Sequence, residues 1–322
     1  MDTWGEDSLA DGDGKMRFKG FDLNLLVAFD ALMATRSVSR SAERLNLSQP
    51  AMSAALSRLR DYFGDELLQL QGKRMNPTPF ADELMPQVRD SLLALEAMLS
   101  RSTHFDPRTS QRSFKVVTSD YVFASLIVPL VAELAEEAPG IRIDCGLPQP
   151  GTVQELEEGK IDITITPEYV IGGKHLSYVL YQEPQVVVGW SGNPAIADGT
   201  ISEEAFFAAG HIAVVLGGGQ TLSYADRTLE LMGRSRTIEA TVAIFTAVPW
   251  LIEGTNRLSV MHSRLAAQLM GRFAITSAPV PFEIPAMKQM LSYHPGRKDD
   301  AGLSWMRGRI EAIAQRGEMA EP

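Results

Sequence analysis

The sequence predicts a chain in two parts: an α-rich module at the N-terminus and, beyond a long connecting helix, a larger α/β domain. Three observations predict it. The first is charge. Residues 1–14 carry five acids and no base, residues 15–78 carry ten bases against six acids, and residues 79–322 carry twenty bases against twenty-nine acids, within a net charge of −10. A small basic module joined to an acidic domain produces that asymmetry. The second is apolar spacing of three and four residues as far as Leu99, the period of helices. The third is the change after Ser113 to short apolar runs alternating with helical stretches, the rhythm of βαβ units.

Composition narrows the function classes. With 322 residues, 45% hydrophobic and 22% charged, the chain is expected to form two or three globular domains. It has no apolar run of the roughly 18 residues that a spanning helix needs, so no membrane partner is expected. The acidic start (Asp2, Glu6, Asp7, Asp11, Asp13) lacks the apolar core of a secretory leader. The single cysteine, Cys145, rules out an internal disulfide and a cysteine zinc site. A cytoplasmic location is the expectation. Five scattered histidines have no metal-binding spacing. No metal, cofactor or catalytic residue is expected.

Residues 1–15 read as a solvated acidic tail, with Met16 an alternative translation start. Leu23, Leu26, Val27, Leu32 and Met33, with Phe29 between them, predict a first helix. Ser37 begins a short second one with Val38, Ala42 and Leu45 on one face. Asn46 breaks the pattern. Ser48 caps a third helix with Pro50 in its first turn, where a missing N–H costs nothing. Met52, Ala55, Leu56, Leu59 and Phe63 should face the core, leaving Gln49, Ser53, Ala54, Ser57, Arg58 and Arg60 outward. Two short helices joined by a tight turn, the second presenting small polar and basic residues, match a helix-turn-helix. Ser37, Ser48, Gln49, Pro50, Ser53 and Ser57 are the candidates for the double-stranded DNA surface, with Gln49 and Ser53 placed for base edges. Arg36, Arg40, Arg58, Lys73 and Arg74 are candidates for phosphate contacts. A helical bundle with a solvated charged face is the competing reading.

The segment from Phe21 to Leu84 decides between them by resemblance. The run SVSRSAERLNLSQPAMSAALSRLRDYFGDELL, followed by NPTPFADEL, resembles the DNA-binding domain of LysR-type regulators. Ser37, Ala42, Leu45, Leu47, Ser48, Gln49, Pro50, Ala51, Ser53 and Leu59 stand where that family's pattern puts them. RFKGFDLNLLVAFDALM and SRLR are similar to the nodulation and naphthalene–salicylate regulators within it. The resemblance implies a winged helix-turn-helix over 16–78. Leu68 and Leu70 depart from the family's Phe and Arg, which moves the expected wing contacts to Lys73 and Arg74.

Thr78 caps a connecting helix over 79–103, Pro79 opens it, and Asp82 and Glu83 complement its positive end. Leu84, Val88, Leu92, Leu95 and Leu99 form a near-heptad stripe suited to helix pairing. Core packing is the alternative on pattern alone, and the resemblance implies dimerisation. Pro86 inside the stripe predicts a kink or a lost bond. Residues 101–111 read as a hinge.

In the C-terminal half FKVVTS, IRIDCG and IDITIT read as strands, with Tyr121 to Glu137 and Thr152 to Glu158 as helices between them. QVVVGW opens a second series with HIAVVL, TIEATV, RLSVMH and FAITS. AMKQMLSYH and a last helix, Leu303 to Ala314, follow a proline-rich crossing. A largely parallel sheet in two lobes is expected: lobe I over 108–186 and 284–316, lobe II over 187–283, and a tail over 317–322. The family resemblance extends here and implies an effector domain similar to periplasmic binding proteins, its ligand between the lobes. Loops at the carboxyl ends of strands then supply the site: Ser119, Asp120, Thr166, Gly218, Thr221, Phe245, Thr246 and His262. Such a set suits a flat ring bearing polar or anionic groups. Each residue also has a plain structural role: Ser119 and Asp120 as helix caps, the glycines 217–219 as a turn, His262 as a core histidine. Trp190 and Trp250 are expected in the core or an interface, and Cys145 as a small buried hydrophobe.

The function expected is a ligand-responsive transcription regulator. It binds an interrupted palindrome as a homodimer or homotetramer, works with RNA polymerase and responds to a small aromatic effector. An enzyme or a solute-binding protein with a DNA-binding appendage is the alternative. The enzyme lacks support in the motifs: no GxSxG, HExxH, phosphate-loop lysine or dinucleotide fingerprint occurs.

Overall fold

A computed structural model describes residues 21–71, 74–99, 105–170, 172, 175–216 and 221–318. The chain divides into two compact units, one ending at Glu96 and one beginning at Ala97. The acidic tail, Lys73, His104 and Gly218 lie outside the described residues.

The N-terminal unit is three helices and a two-stranded wing: α1 (Asn24–Thr35), α2 (Val38–Arg44), α3 (Gln49–Phe63), β1 (Leu68–Gln71) and β2 (Arg74–Pro77), followed by α4 (Pro79–Leu99). Leu25, Phe29, Leu32, Met52, Leu56 and Leu59 bury the faces that their spacing selects. Asn46 adopts a left-handed φ of 53°, which asparagine tolerates, and so turns α2 into α3. Gly64, at φ 65°, ends α3. Asp65 Oδ1 then accepts from the Leu67 N–H and the Thr78 hydroxyl, tying the wing to the start of α4. Arg60 departs from its expected outward position. Its guanidinium donates to the Glu66 and Leu68 carbonyls at 2.8 and 2.7 Å and holds the strand entering the wing.

The stripe on α4 also divides differently from its pattern. Ala81, Met85 and Val88 are buried in the helical core, and Leu84 and Leu92 pack against it. Its first half is therefore intrachain core, because the heptad pattern cannot tell one apolar partner from another. The helix runs through Pro86.

The C-terminal unit holds two sheets. In chain order its elements are β3 (Ser113–Thr118), α5 (Asp120–Val122), a π-helical turn (Phe123–Ile127), α6 (Val128–Glu137), β4 (Arg142–Gly146), α7 (Thr152–Glu157), β5 (Ile163–Pro167), β6 (Leu176–Glu183), β7 (Gln185–Trp190), α8 (Glu203–Ala208), β8 (Gly210–Leu216), β9 (Thr221–Leu222), α9 (Tyr224–Leu231), β10 (Thr237–Val242), α10 (Pro249–Ile252), β11 (Leu258–His262), α11 (Ser263–Met270), β12 (Ile275–Pro279), β13 (Met287–Tyr293) and α12 (Ala301–Glu318). One sheet has the order β4-β3-β5-β13-β6; the other runs β10-β8-β11-β7-β12, with β9 on β8. The chain passes between them twice, at β6 to β7 and at β12 to β13.

Both sheets are mixed but largely parallel, as expected. In each, four of the five strands in that order share one direction, while β13, or β7, alone runs against its neighbours. A strand that enters directly from the other lobe has no crossover helix to reverse it, so it arrives antiparallel. β6 was not anticipated: its outward residues alternate with buried Tyr181 and Glu183 at the sheet edge and dilute the apolar signal. Phe114, Leu126, Leu130, Ile163 and Leu291 from one lobe and Ile212, Val248, Met261 and Leu265 from the other share one continuous core.

Candidate functional site

Two candidate sites emerge, one in each unit. In the N-terminal unit, the Ser48 hydroxyl accepts from the Ala51 N–H at 3.3 Å, and Pro50 occupies the first turn of α3. With Met52, Leu56 and Leu59 buried, Gln49, Pro50, Ser53, Ala54, Ser57 and Arg58 are left exposed on the opposite side. Ser37 caps α2 by accepting from the Arg40 N–H, and Arg36 is exposed beside it. The Arg40 guanidinium donates to the Thr35 carbonyl at 2.6 Å. Arg58 pairs with Asp22 at 3.5 Å on the open surface, a contact of ~0–1 kcal/mol that a phosphate can displace. On α3 the pattern placed every outward residue but Arg60, because one helix carries that face. Arg74 opens β2 of the wing.

In the C-terminal unit a cavity of about 430 Å³ lies between the two sheets, at the carboxyl ends of their parallel strands. Six of the eight predicted residues line it: Ser119, Asp120, Thr166, Thr221, Phe245 and His262. Thr246 is not among the lining residues. Its backbone N–H instead donates to Asp120 Oδ2 at 2.7 Å, so a carboxylate of one lobe holds the first turn after β10 of the other. Asp120 Oδ1 is buried and has no partner among the described residues.

His262 is buried, stacked on Tyr121 with ring centroids 3.7 Å apart and planes 5° from parallel, and met edge-on by Phe245 at 4.5 Å. Burial alone depresses its imidazole to about 3, so it is neutral, and its Nδ1 has no partner among the described residues. A second aromatic pair spans the lobes where Tyr169 stacks on Tyr224 at 6.0 Å, with the Arg227 guanidinium over the Tyr169 ring. Burial pushes the Tyr169 phenol up to about 12. Gln289 lines the cavity too, with both of its side-chain polar atoms buried and without a partner among the described residues. None of the described lining residues is a lysine or arginine.

Sequence reasoning missed Tyr121, Tyr169, Tyr224, Gln289 and the loop Leu147 to Pro150. Tyr121 directly follows the predicted Ser119 and Asp120, so continuing along that helix start would have found it. Gln289 carried no signal, because only the sheet order places β13 beside β5. Trp250 is exposed, which removes the core half of its expected core-or-interface placement. Cys145 is half-buried on β4, its thiol pushed up to about 11 chiefly by burial.

The polar side of the cavity leads away from solvent. Tyr121 Oη bonds to Tyr181 Oη at 2.5 Å and donates to Glu183 at 3.2 Å. Glu183, with no exposed surface, also accepts from the Ser263 hydroxyl and the Arg264 N–H, and it pairs with the Arg264 guanidinium at 3.1 Å. Arg264 in turn donates to the Ala314 carbonyl on α12 at 2.7 Å.

Comparison with known proteins assigns each unit. The family model described as bacterial regulatory helix-turn-helix protein, lysR family, matches residues 23–82, and the LysR substrate binding domain matches residues 107–314. Nodulation protein D 1 of Rhizobium leguminosarum bv. phaseoli is 37% identical over 293 residues, which is 91% of this chain and 93% of that protein. Nodulation protein D 1 of Rhizobium meliloti (strain 1021) is 36% identical over 308 residues, covering 95% and 98%. The crystal structure of a probable transcriptional regulator from Pseudomonas aeruginosa, 30% identical, matches with a TM-score of 0.60 over 92% of this chain and 98% of that one.

Proposed function

The chain belongs to the LysR family of transcription regulators, with a DNA-binding helix-turn-helix and an effector-binding domain, and from that premise we propose what it binds and how it responds. It binds an interrupted-palindrome promoter site as a homodimer or homotetramer and works with RNA polymerase in the cytoplasm. Gln49 and Ser53 meet base edges; Ser37, Ser48, Pro50 and Ser57 let α3 approach the groove floor. Arg36, Arg40, Arg58, Lys73 and Arg74 meet phosphates. The effector is a small aromatic molecule held by Ser119, Asp120, Thr166, Thr221, Phe245 and His262, with Gly218 and Thr246 in the adjoining loops.

One observation carries the effector class. The cavity combines aromatic walls with a buried, half-satisfied carboxylate and a neutral imidazole, and its described lining contains no cation. Leaving Asp120 Oδ1 without a donor costs about 1–3 kcal/mol, which a ligand hydroxyl removes. An anionic ring would meet Asp120 with nothing to neutralise it. The structure therefore favours an uncharged phenol over the anionic alternative.

Calorimetric titration of the full chain with matched phenols and benzoates tests this. The phenols are expected to bind at least about tenfold more tightly, since a hydrogen bond to a charged group is worth ~1.5–3 kcal/mol. Asp120→Asn should shrink that preference. Tighter binding of the benzoates would reject the uncharged class.

A further inference from the structure

A second, smaller cavity of about 120 Å³ adjoins the main one. Pro148, Gln149, Thr166 and Val170 line both, so little more than those side chains divides them. On its far side are Thr164, His175 and the start of α7. Three of its polar atoms have no partner among the described residues. Thr164 is 2% exposed and Thr166 4% exposed, and neither hydroxyl has a partner; nor does the buried Nδ1 of His175. Strand periodicity explains why both hydroxyls point the same way: residues 164 and 166 share one face of β5, opposite Ile163 and Ile165. No charged residue is among the described lining, and burial lowers the His175 imidazole, keeping it uncharged at neutral pH.

Three unpartnered polar atoms around a space of that size require occupants. Resting on the reading of the main cavity as the effector site, we propose that this annex is its second compartment and receives a short, uncharged, hydroxyl-bearing arm of the effector. Thr164 and His175 hydrogen-bond the arm at its far end, and Thr166 stands at the neck where arm joins body. The effector is thus a flat molecule with polar groups at two ends, one meeting Asp120 and the other entering the annex. Selection by length follows, because a molecule with a single polar end leaves either Asp120 or the annex unsatisfied.

The test uses two probes on the full chain by calorimetry: biphenyl with one para-hydroxyl, and biphenyl with a para-hydroxyl at each end. In the unmodified protein the doubly hydroxylated probe is expected to bind at least about tenfold more tightly, the worth of one buried hydrogen bond. Thr164→Val, which keeps shape and removes the hydroxyl, should cut that preference to about threefold or less without changing affinity for the singly hydroxylated probe. His175→Phe should do the same from the opposite wall, so a folding failure in one variant leaves the other decisive. An unchanged preference in the folded variant would mean that the annex holds water only and would overturn the proposal. Failure of both probes to bind the unmodified chain would overturn the reading of the main cavity, and the annex with it.

Discussion

Gln49 and Ser53 are polar side chains on the exposed face of a capped helix, the placement that the proposed base contacts need. Gln49→Ala or Ser53→Ala is expected to relax preference at one or two base pairs by ~1–3 kcal/mol, measured by competition between operator variants at fixed salt. Equal losses on every sequence would show that these side chains only position the helix. His262 behaves differently, since its environment comes from three separate elements. The folded chain holds it neutral, down to about 3, whereas an unfolded histidine protonates near 6.5. Between those values the unfolded chain binds the proton that the folded chain refuses, so stability is complete above 6.5 and declines as pH falls. Burial and Arg236 depress His211 to about 4 and add to the same trend. His262→Phe, which preserves an aromatic face for Tyr121, should flatten the fall in urea midpoint between pH 7 and pH 5. An unaltered slope would assign the effect to His211 alone.

At the scale of elements, α12 depends on one carboxylate. Asp300 accepts two bonds from Arg112, at 2.6 and 2.8 Å, and one from the Leu303 N–H at the start of the helix. Burial works to raise its pKa, yet Arg112, the Leu303 N–H and Arg297 together outweigh it and the net shift is downward. Its contribution is therefore present above the unfolded value of 3.8 and vanishes as pH falls through the lower folded one. Asp300→Asn should cost ~1.5–3 kcal/mol at pH 7, because Arg112 loses a bidentate carboxylate and is left with Asp162 at 3.6 Å, with the two proteins converging as pH falls below 3.8. Equal urea midpoints at pH 7 would contradict this. The second half of α4 is the other element with a specific expectation. Leu95 is half-buried and Met98 exposed, beyond the part of the stripe that enters the helical core. Leu95→Arg should lower the assembly state seen by sedimentation while leaving the fold of residues 21–92 intact. A simultaneous loss of helical signal would assign Leu95 to the core.

For the molecule as a whole, the effector domain is two lobes with a shared core and a cleft whose walls touch in few places. Asp120 to the Thr246 N–H, Tyr121 on His262 and Tyr169 on Tyr224 are contacts between lobes. The buried Glu183 connects Tyr121 to Arg264 and so to α12. A ligand touching both walls binds open and closed arrangements with different affinity, and that difference is what moves a two-state equilibrium. Phe245→Ala removes an aromatic wall from the cleft. It should weaken the transcriptional response to effector by roughly tenfold in half-maximal concentration, with operator affinity in the absence of effector nearly unchanged. Loss of basal operator binding would place Phe245 in the scaffold rather than the response.

The sequence by itself determined everything that depends on near neighbours. The caps Ser37, Ser48 and Thr78, the turn at Asn46 and the outward face of α3 follow from spacings of four residues or fewer, where periodicity and capping chemistry act directly. Residues at or just beyond strand ends, such as Ser119, Thr166 and His262, were legible for a related reason: in α/β sheets the strand's own direction locates its carboxyl end. Only the tertiary structure decided which residues meet across long separations. Gln289 reaches the cavity because β13 inserts beside β5, Arg60 turns inward because the wing presents it two carbonyls, and Leu92 packs within its own unit. Apolar periodicity states that a face will be buried and is silent on its partner. That choice is made by the summed packing of the whole core, to which no single segment holds the key.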